Sequence, residues 1–212
     1  MKCSNILTVF PPLEDQESKF QLELFKETAR VEGDDAKGNP FSLPIKFDSF
    51  LRVPRSLYIS TALGVSFDVY YGDWEAVANI DWIKKEFYGI KPLSREMLID
   101  IVEEHFPRFS RQEANIRKKN LDLYGATDWF DWSLKNWGTS QDVDNPQLIS
   151  EDESLIYTFE TSWNPPMILI QRLTTIFPLL QFELDYECGG SRGRVVANKD
   201  NFEHNSWEGE VE

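Results

Sequence analysis

The chain of 212 residues carries 36 acidic against 22 basic side chains, a net charge of −14. A field of that sign repels phosphate backbones and anionic lipid and attracts basic protein surfaces, which argues against non-specific nucleic-acid or membrane binding. Hydrophobic residues make up 41%, enough for a core, and no apolar run approaches the roughly 18 residues of a membrane-spanning helix.

The N-terminal "MKCSNILTVF" reads as a strand over 3–10 ended by Pro11 and Pro12, since it lacks the long apolar core and cleavage site of a secretory leader. A helix is expected from Glu14 to Ala29, its acidic first turn suiting the dipole and Phe20, Leu24, Phe25 and Ala29 forming its apolar side. "FSLPIKFDSFLRVPRSL" is an extended connector. Within an inserted segment at about 58–120, "LSREMLIDIVEEHF" predicts a helix capped by Ser94, with Leu93 and Leu98 as a hydrophobic staple, and stopped by Pro107. His105 falls at the C-terminal end of that helix, where an imidazole caps the dipole. The following basic cluster, Arg108, Arg111, Arg117, Lys118 and Lys119, reads as a solvated helix face.

"WFDWSLKNW" reads as a strand with Phe130, Trp132 and Leu134 on one face and Trp129 and Trp137 on the other, a sheet element needing cover on both sides. "DVDNPQLISEDE" is a solvated acidic loop that lacks the central Gly of a calcium loop. "SLIYTFETSW" alternates Leu155, Tyr157, Phe159, Thr161 and Trp163 against mostly polar residues, a half-buried strand. In "NPPMILIQRLTTIFP", Asn164 and Pro165 open a helix whose stripe is Leu169, Leu173 and Ile176. "LQFELDYEC" alternates from Leu180 to Cys188, "GGSRG" turns, and "RVVAN" closes a hairpin. The last stretch, 200–212, holds five acids and no Lys or Arg and reads as a loose tail.

Chemistry is sparse. No phosphate-cradling glycine motif, zinc-protease helix or nucleophile elbow occurs. The two histidines, His105 and His204, and the two cysteines, Cys3 and Cys188, supply neither a catalytic triad nor a zinc site, and the cysteines are expected to be buried free thiols of a cytosolic protein. No cofactor, metal site or catalytic residue is expected. The remaining candidate features are the acids Asp142, Asp144, Glu151, Asp152 and Glu153 and the aromatics Trp129 and Trp137.

"YGATDWFDWSLKNWGTS" followed by "YTFETSWNPPMILIQRLTTIFPLLQFELDYECGG", together with the opening strand and the proline-containing connector, resembles the YubB-type ferredoxin-like family of plasmids, phages and pathogenicity islands. The likeness covers about 3–57 and 121–197. It implies an α+β fold: a ferredoxin-like antiparallel sheet with helices packed on one face, plus a partly helical insertion, one domain over 1–199. Size, charge and the lack of catalytic motifs join that resemblance in an expectation. The chain is read as a non-enzymatic cytoplasmic binding protein of a bacterial mobile genetic element. It would inhibit a host defence or nucleic-acid-processing complex, anti-CRISPR-like or by acidic DNA mimicry, through a basic surface on that partner. The alternatives are an accessory protein with a nucleotide or small-molecule pocket lined by Trp129, Trp137 and Trp163, and a single-stranded nucleic-acid binder using sheet aromatics.

Overall fold

The computed structural model describes residues 1–34, 36–59, 65–86, 94–105 and 111–208. Leu93, Pro107 and Arg108 lie outside these residues, as do the side chain of His105 and the final four positions. The chain divides into two compact units, Met1–Val53 with Ser133–Glu212, and Pro54–Trp132.

The first unit begins with β1 (Lys2–Phe10), whose strict alternation buries Cys3, Asn5, Leu7 and Val9 and turns Lys2, Ser4 and Ile6 outward. In α1 (Gln16–Ala29) the N-cap is Asp15, which accepts the Ser18 N–H at 2.8 Å and the Ser18 hydroxyl at 3.1 Å. Its buried side is Ser18, Leu22, Phe25 and Ala29, whereas Phe20 and Leu24 are exposed. The sequence offers two overlapping apolar stripes on this helix, and the one carrying the central Phe25 faces the sheet. A hairpin of β2 (Val31–Asp34) and β3 (Pro40–Leu43) and the single-turn helix α2 (Phe47–Phe50) occupy the expected connector.

The second unit follows a 3-10 turn at Arg55–Leu57. It contains α3 (Val65–Tyr70), α4 (Trp74–Ala78), α5 (Asp81–Glu86), α6 (Arg95–His105) and α7 (Arg111–Tyr124). Ser94 caps α6 by accepting the Met97 N–H at 3.2 Å. Val69, Tyr70, Val77, Ile83, Leu98, Val102 and Ala114 form this unit's own core. The basic cluster is not a uniformly solvated face: Arg117 is fully buried, its guanidinium 2.7 Å from Asp128 and 2.9 Å from Glu113.

The segment expected to be an aromatic strand is the helix α8 (Trp129–Asn136). Asp128 accepts the Asp131 N–H at 3.0 Å at its start, and Gly138 at φ +85° ends it, with its N–H pointing back to Ser133 and Leu134 carbonyls at 3.2 Å. Helical geometry puts Trp132, Ser133 and Trp137 together as buried residues at i, i+1 and i+5, a grouping that no strand alternation produces.

The chain then completes the sheet with β4 (Asp144–Glu151), β5 (Leu155–Ser162), α9 (Met167–Ile176), β6 (Gln181–Cys188), β7 (Ser191–Asn198) and β8 (Asn201–Glu208). Strand order is β4-β5-β1-β6-β7-β8, with every neighbouring pair antiparallel. Strands β5 and β6 flank β1, and α9 crosses between them, the split β-α-β arrangement of ferredoxin-like folds. Phe25 of α1 sits at the centre of the buried face, with ring centroids 5.0 Å from Phe50, 5.2 Å from Phe177 and 5.8 Å from Phe182. The opposite face is polar: Thr158, Glu160, Gln181, Glu183, Asp185 and Glu187 alternate with the core residues, so it needs no apolar cover.

Four expectations are corrected. The acidic stretch is not a loop, because most of it pairs with β5 as an edge strand, interrupted by register shifts near Pro146 and Ile149. The C-terminal stretch is not a loose tail, because Asn201–Glu208 pairs with β7 along its whole length. The hairpin turn before β7 is the two-residue Gly189-Gly190, both at positive φ, with Ser191 already in the strand. Cys3 and Cys188 are not free thiols: β1 and β6 place them directly opposite one another and they form a disulfide across 185 residues of chain.

Candidate functional site

The seven side chains singled out from sequence do not converge. Asp142 points inward and accepts the backbone N–H groups of Phe47 (2.7 Å), Asp48 (3.2 Å) and Val143 (2.8 Å), fastening α2 to the start of β4. Burial raises its carboxyl above the ordinary value, opposed by those three donors. Asp144 lies outward on β4 and pairs with Lys2 at 2.7 Å, which lowers its carboxyl. Glu151 pairs with Lys26 of α1 at 2.9 Å. Trp137 is 3% exposed, packs edge-on against Phe47 at 5.9 Å and donates its indole N–H to the Leu51 carbonyl at 3.1 Å. It is a core residue, not an interface aromatic, because the helix that carries it turns it into the first unit. Trp129 is half-buried at the first turn of α8, beside Phe130.

Asp152 and Glu153 remain. They form the tip of the β4–β5 hairpin and line a cavity of about 600 Å3 with Thr8, Phe10, Pro11, Glu14, Lys19, Leu22, Glu23 and Ser154. Three elements build it. The end of β1 and Pro11 bring Phe10 to the floor, the turn before α1 supplies Glu14, α1 itself supplies Lys19, Leu22 and Glu23, and the hairpin supplies the outer wall. No ion pair ties Glu14, Glu23, Asp152 or Glu153 among the described residues, and Lys19 is the single cation on the wall. The negative field reaches the core: burial first, then Glu151 and Glu23, push the Tyr157 phenol well above its usual range. A cavity with an apolar floor and a carboxylate rim suits a cation on a hydrocarbon stem, the form of a lysine or arginine side chain.

Sequence reasoning missed Glu14 and Glu23. Glu14 was legible only as a helix-start acid and Glu23 as an ordinary surface position, and nothing local shows that the β4–β5 tip lies beside them.

The open face of the sheet holds a shallower depression of about 320 Å3 lined in part by Ser4, Ile6, Asp185, Glu187, Arg192 and Trp207. Arg192 is already paired with Glu187 at 3.2 Å, and Arg194 is held by Glu183, so the cations on this face are neutralised. Among the described residues, no group of three or more His, Cys, Asp or Glu side chains could hold a metal ion, and no helix is long and apolar enough to cross a membrane.

The motifs Asn-Trp-Gly-Thr and Thr-Ser-Trp-Asn are structural devices here. Gly138 ends α8, and Thr139 is buried with its hydroxyl donated to the Gln141 carbonyl at 2.6 Å. Buried Asn5 reaches Thr161, which donates to the Asn164 carbonyl at 2.8 Å, while Trp163, at φ +70° and 58% exposed, donates its N–H to the Met1 carbonyl at 3.1 Å. These contacts fix the turn that feeds α9.

Sheet order, split crossover and helices on one face define an α+β, ferredoxin-like protein. Residues 136–211, covering β4 to β8, match the family described as the ferredoxin-like domain in Api92-like protein. The crystal structure of the protein Api92 from Yersinia pseudotuberculosis is similar over 100% of this chain and 98% of that one, at 12% identity and a TM-score of 0.39. No curated protein matches the chain. The family description names a fold and no activity.

Proposed function

We propose that the chain is a non-enzymatic binding protein that docks on a basic surface of another protein, inserting a lysine or arginine of that partner into the cavity beside the β4–β5 hairpin. The observation that supports this reading is the set of four carboxylates, Glu14, Glu23, Asp152 and Glu153, around an apolar floor, none of them in an ion pair among the described residues. Carboxylates bound into internal pairs, as Asp144 and Glu151 are, contribute little to steering. Unpaired ones at a rim raise the association rate of a basic partner and make it fall with salt. The YubB-type likeness of the motifs around Trp137 and Trp163 suggests the setting: a phage or plasmid protein acting in the bacterial cytoplasm, with a host defence or nucleic-acid-processing complex as its target. Negative charge placed where that complex holds phosphate would make it an acidic mimic of DNA.

A second reading has one observation in its favour. Trp207 is 51% exposed beside the depression on the open face, where ferredoxin-like sheets stack bases. Asp185 and Glu187 lie in the same depression and oppose a phosphate there, which ranks this reading lower.

The test is capture from bacterial lysate by the wild-type chain and by a variant with Glu14, Glu23, Asp152 and Glu153 all replaced by Lys. A stoichiometric protein partner retained by the wild type, lost by the variant and weakened by salt supports the proposal. A partner retained equally by both, or co-purifying nucleotide with no protein, overturns it.

A further inference from the structure

The two edges of the six-stranded sheet are built differently. At one edge, β4 is broken by two register shifts, contains Pro146 and begins beside Asn145 at φ +50°. Such interruptions spoil the row of backbone donors and acceptors that another strand needs. At the other edge, β8 pairs with β7 without a shift through eight consecutive residues. It contains no proline, lysine or arginine, and all eight of its residues are exposed.

That exposure is unusual for a strand attached to a core. The even-numbered residues of β8 share the helix-bearing face, since Phe202 lies opposite Ala197 and His204 opposite Val195, yet they remain exposed. Inward, His204 meets the Tyr186 hydroxyl at 2.7 Å, and the Tyr186 ring lies so close over Gly193 that a Cβ there would come within 2.3 Å of the phenol oxygen. Phe202 and Trp207 are 38% and 51% exposed on opposite faces of the strand. Among the described residues no strand pairs with the outer edge of β8, and both its faces are exposed, a surface that gains burial by receiving a further strand.

We propose that the β8 edge is a docking site for a basic, extended protein segment, which adds to the sheet as a seventh strand. Charge selects this occupant. Asp200, Glu203 and Glu208 lie along the strand and its entry, with Glu210 and Glu212 beyond it in sequence and no Lys or Arg from 200 to 212. Lys199 stands in the turn that enters the strand, and Arg192 and Arg194 of β7 are held by Glu187 and by Glu183 with Asp185. Register adds specificity. An incoming strand meets Glu203 and Trp207 on the open face and Glu208 and Phe202 on the other, so a lysine or arginine on each face, each next to an apolar residue, complements it. This site is separate from the cavity at the β4–β5 hairpin, which lies at the opposite edge, and does not rest on it.

The probe is a synthetic eight-residue peptide repeating Lys-Lys-Val-Val, which puts lysine and valine on both faces of a strand, added to the full chain. Backbone hydrogen exchange reads the result. Outward-facing β8 amides are expected to exchange at least about tenfold more slowly with the peptide bound, with no new protection at the β4–β5 hairpin. The same peptide N-methylated on its four central residues should give no protection, because it cannot pair as a strand. The double variant Glu203→Lys, Glu208→Lys should bind the unmodified peptide roughly tenfold more weakly, while the cavity variant with four lysines should protect β8 as the wild type does. The proposal is overturned if β8 gains no protection, if the N-methylated peptide binds equally well, or if β8 amides become protected with rising protein concentration and no peptide, which would make the occupant a second copy of this chain.

Discussion

Replacing Arg117 with methionine separates a structural role for the basic cluster from a surface one. The guanidinium is fully buried, and its hydrogen bonds include Nη1 to Asp128 at 2.7 Å, and Nε and Nη2 to the same Glu113 oxygen at 3.0 and 2.9 Å. Methionine keeps most of the apolar stem and removes the cation. Glu113 retains 22% side-chain exposure and can rehydrate, but Asp128 has only 10% and also caps α8. Stranding one partner of a buried pair costs about 3–5 kcal/mol, a large share of the stability of a small unit. Asp128→Asn keeps an acceptor for the α8 cap and leaves Arg117 its Glu113 partner, so its expected cost is lower, about 1–3 kcal/mol. The double variant should cost less than the sum of the two, because the asparagine removes the stranded charge. Denaturant midpoints by tryptophan fluorescence, with hydrogen exchange along α7, measure all three. If Arg117→Met leaves both the midpoint and α7 protection unchanged, the buried pair does not hold this unit together.

Two further outcomes follow from the first unit. Trp137→Ala should lower stability by roughly 3–5 kcal/mol, and Trp137→Phe by about 1 kcal/mol for the lost bond to the Leu51 carbonyl; equal melting of both variants and wild type would place Trp137 outside the core. Asp142 has a carboxyl raised above its ordinary 3.8, so the stability it contributes through protonation is full below the unfolded value and declines as pH rises through the folded one. Asp142→Asn does not titrate. The stability of the wild type relative to this variant should therefore fall as pH rises from the ordinary carboxyl range through the raised folded one, and a difference that rises with pH would reverse the sign.

The strands that frame the core were readable because each buries one face only. In β1, β5 and β6 the period of two survives nearly intact, and Leu7 opposite Tyr157 and Leu184 follows once the faces are known. The α8 segment was misread because its composition satisfies both periods. Phe130, Trp132 and Leu134 alternate, while Trp129, Trp132 and Ser133 are spaced for a helix. Asp128 was the discriminating signal, a capping residue immediately before the first turn. In β4 the opposite error arose, since Pro146 and a run of polar residues resemble a loop, and an edge strand tolerates both. The Cys3–Cys188 pairing needs the β1–β6 register, which no local spacing of residues 185 apart supplies.

The acids show why a charge count alone does not locate a surface. The stretch 142–153 holds five carboxylates that look equivalent in sequence. Folding divides them: Asp142 is consumed by backbone donors, Asp144 by Lys2 and Glu151 by Lys26, cations or amides brought from 95, 142 and 125 positions away by the sheet and by α1. Asp152 and Glu153, at the turn, are in no ion pair among the described residues, and they line a cavity by lying beside Glu14 and Glu23 rather than by their own number. The same rule governs the other edge. Glu183, Asp185 and Glu187 are matched by Arg192 and Arg194 across one strand pair, so uncompensated charge moves outward to Glu203 and Glu208, where no further strand of the sheet carries a cation to meet them. Pairing inside the sheet thus leaves negative charge at the hairpin tip beside α1 and along β8, where a carboxylate lies next to an apolar residue, the arrangement that would suit a basic partner.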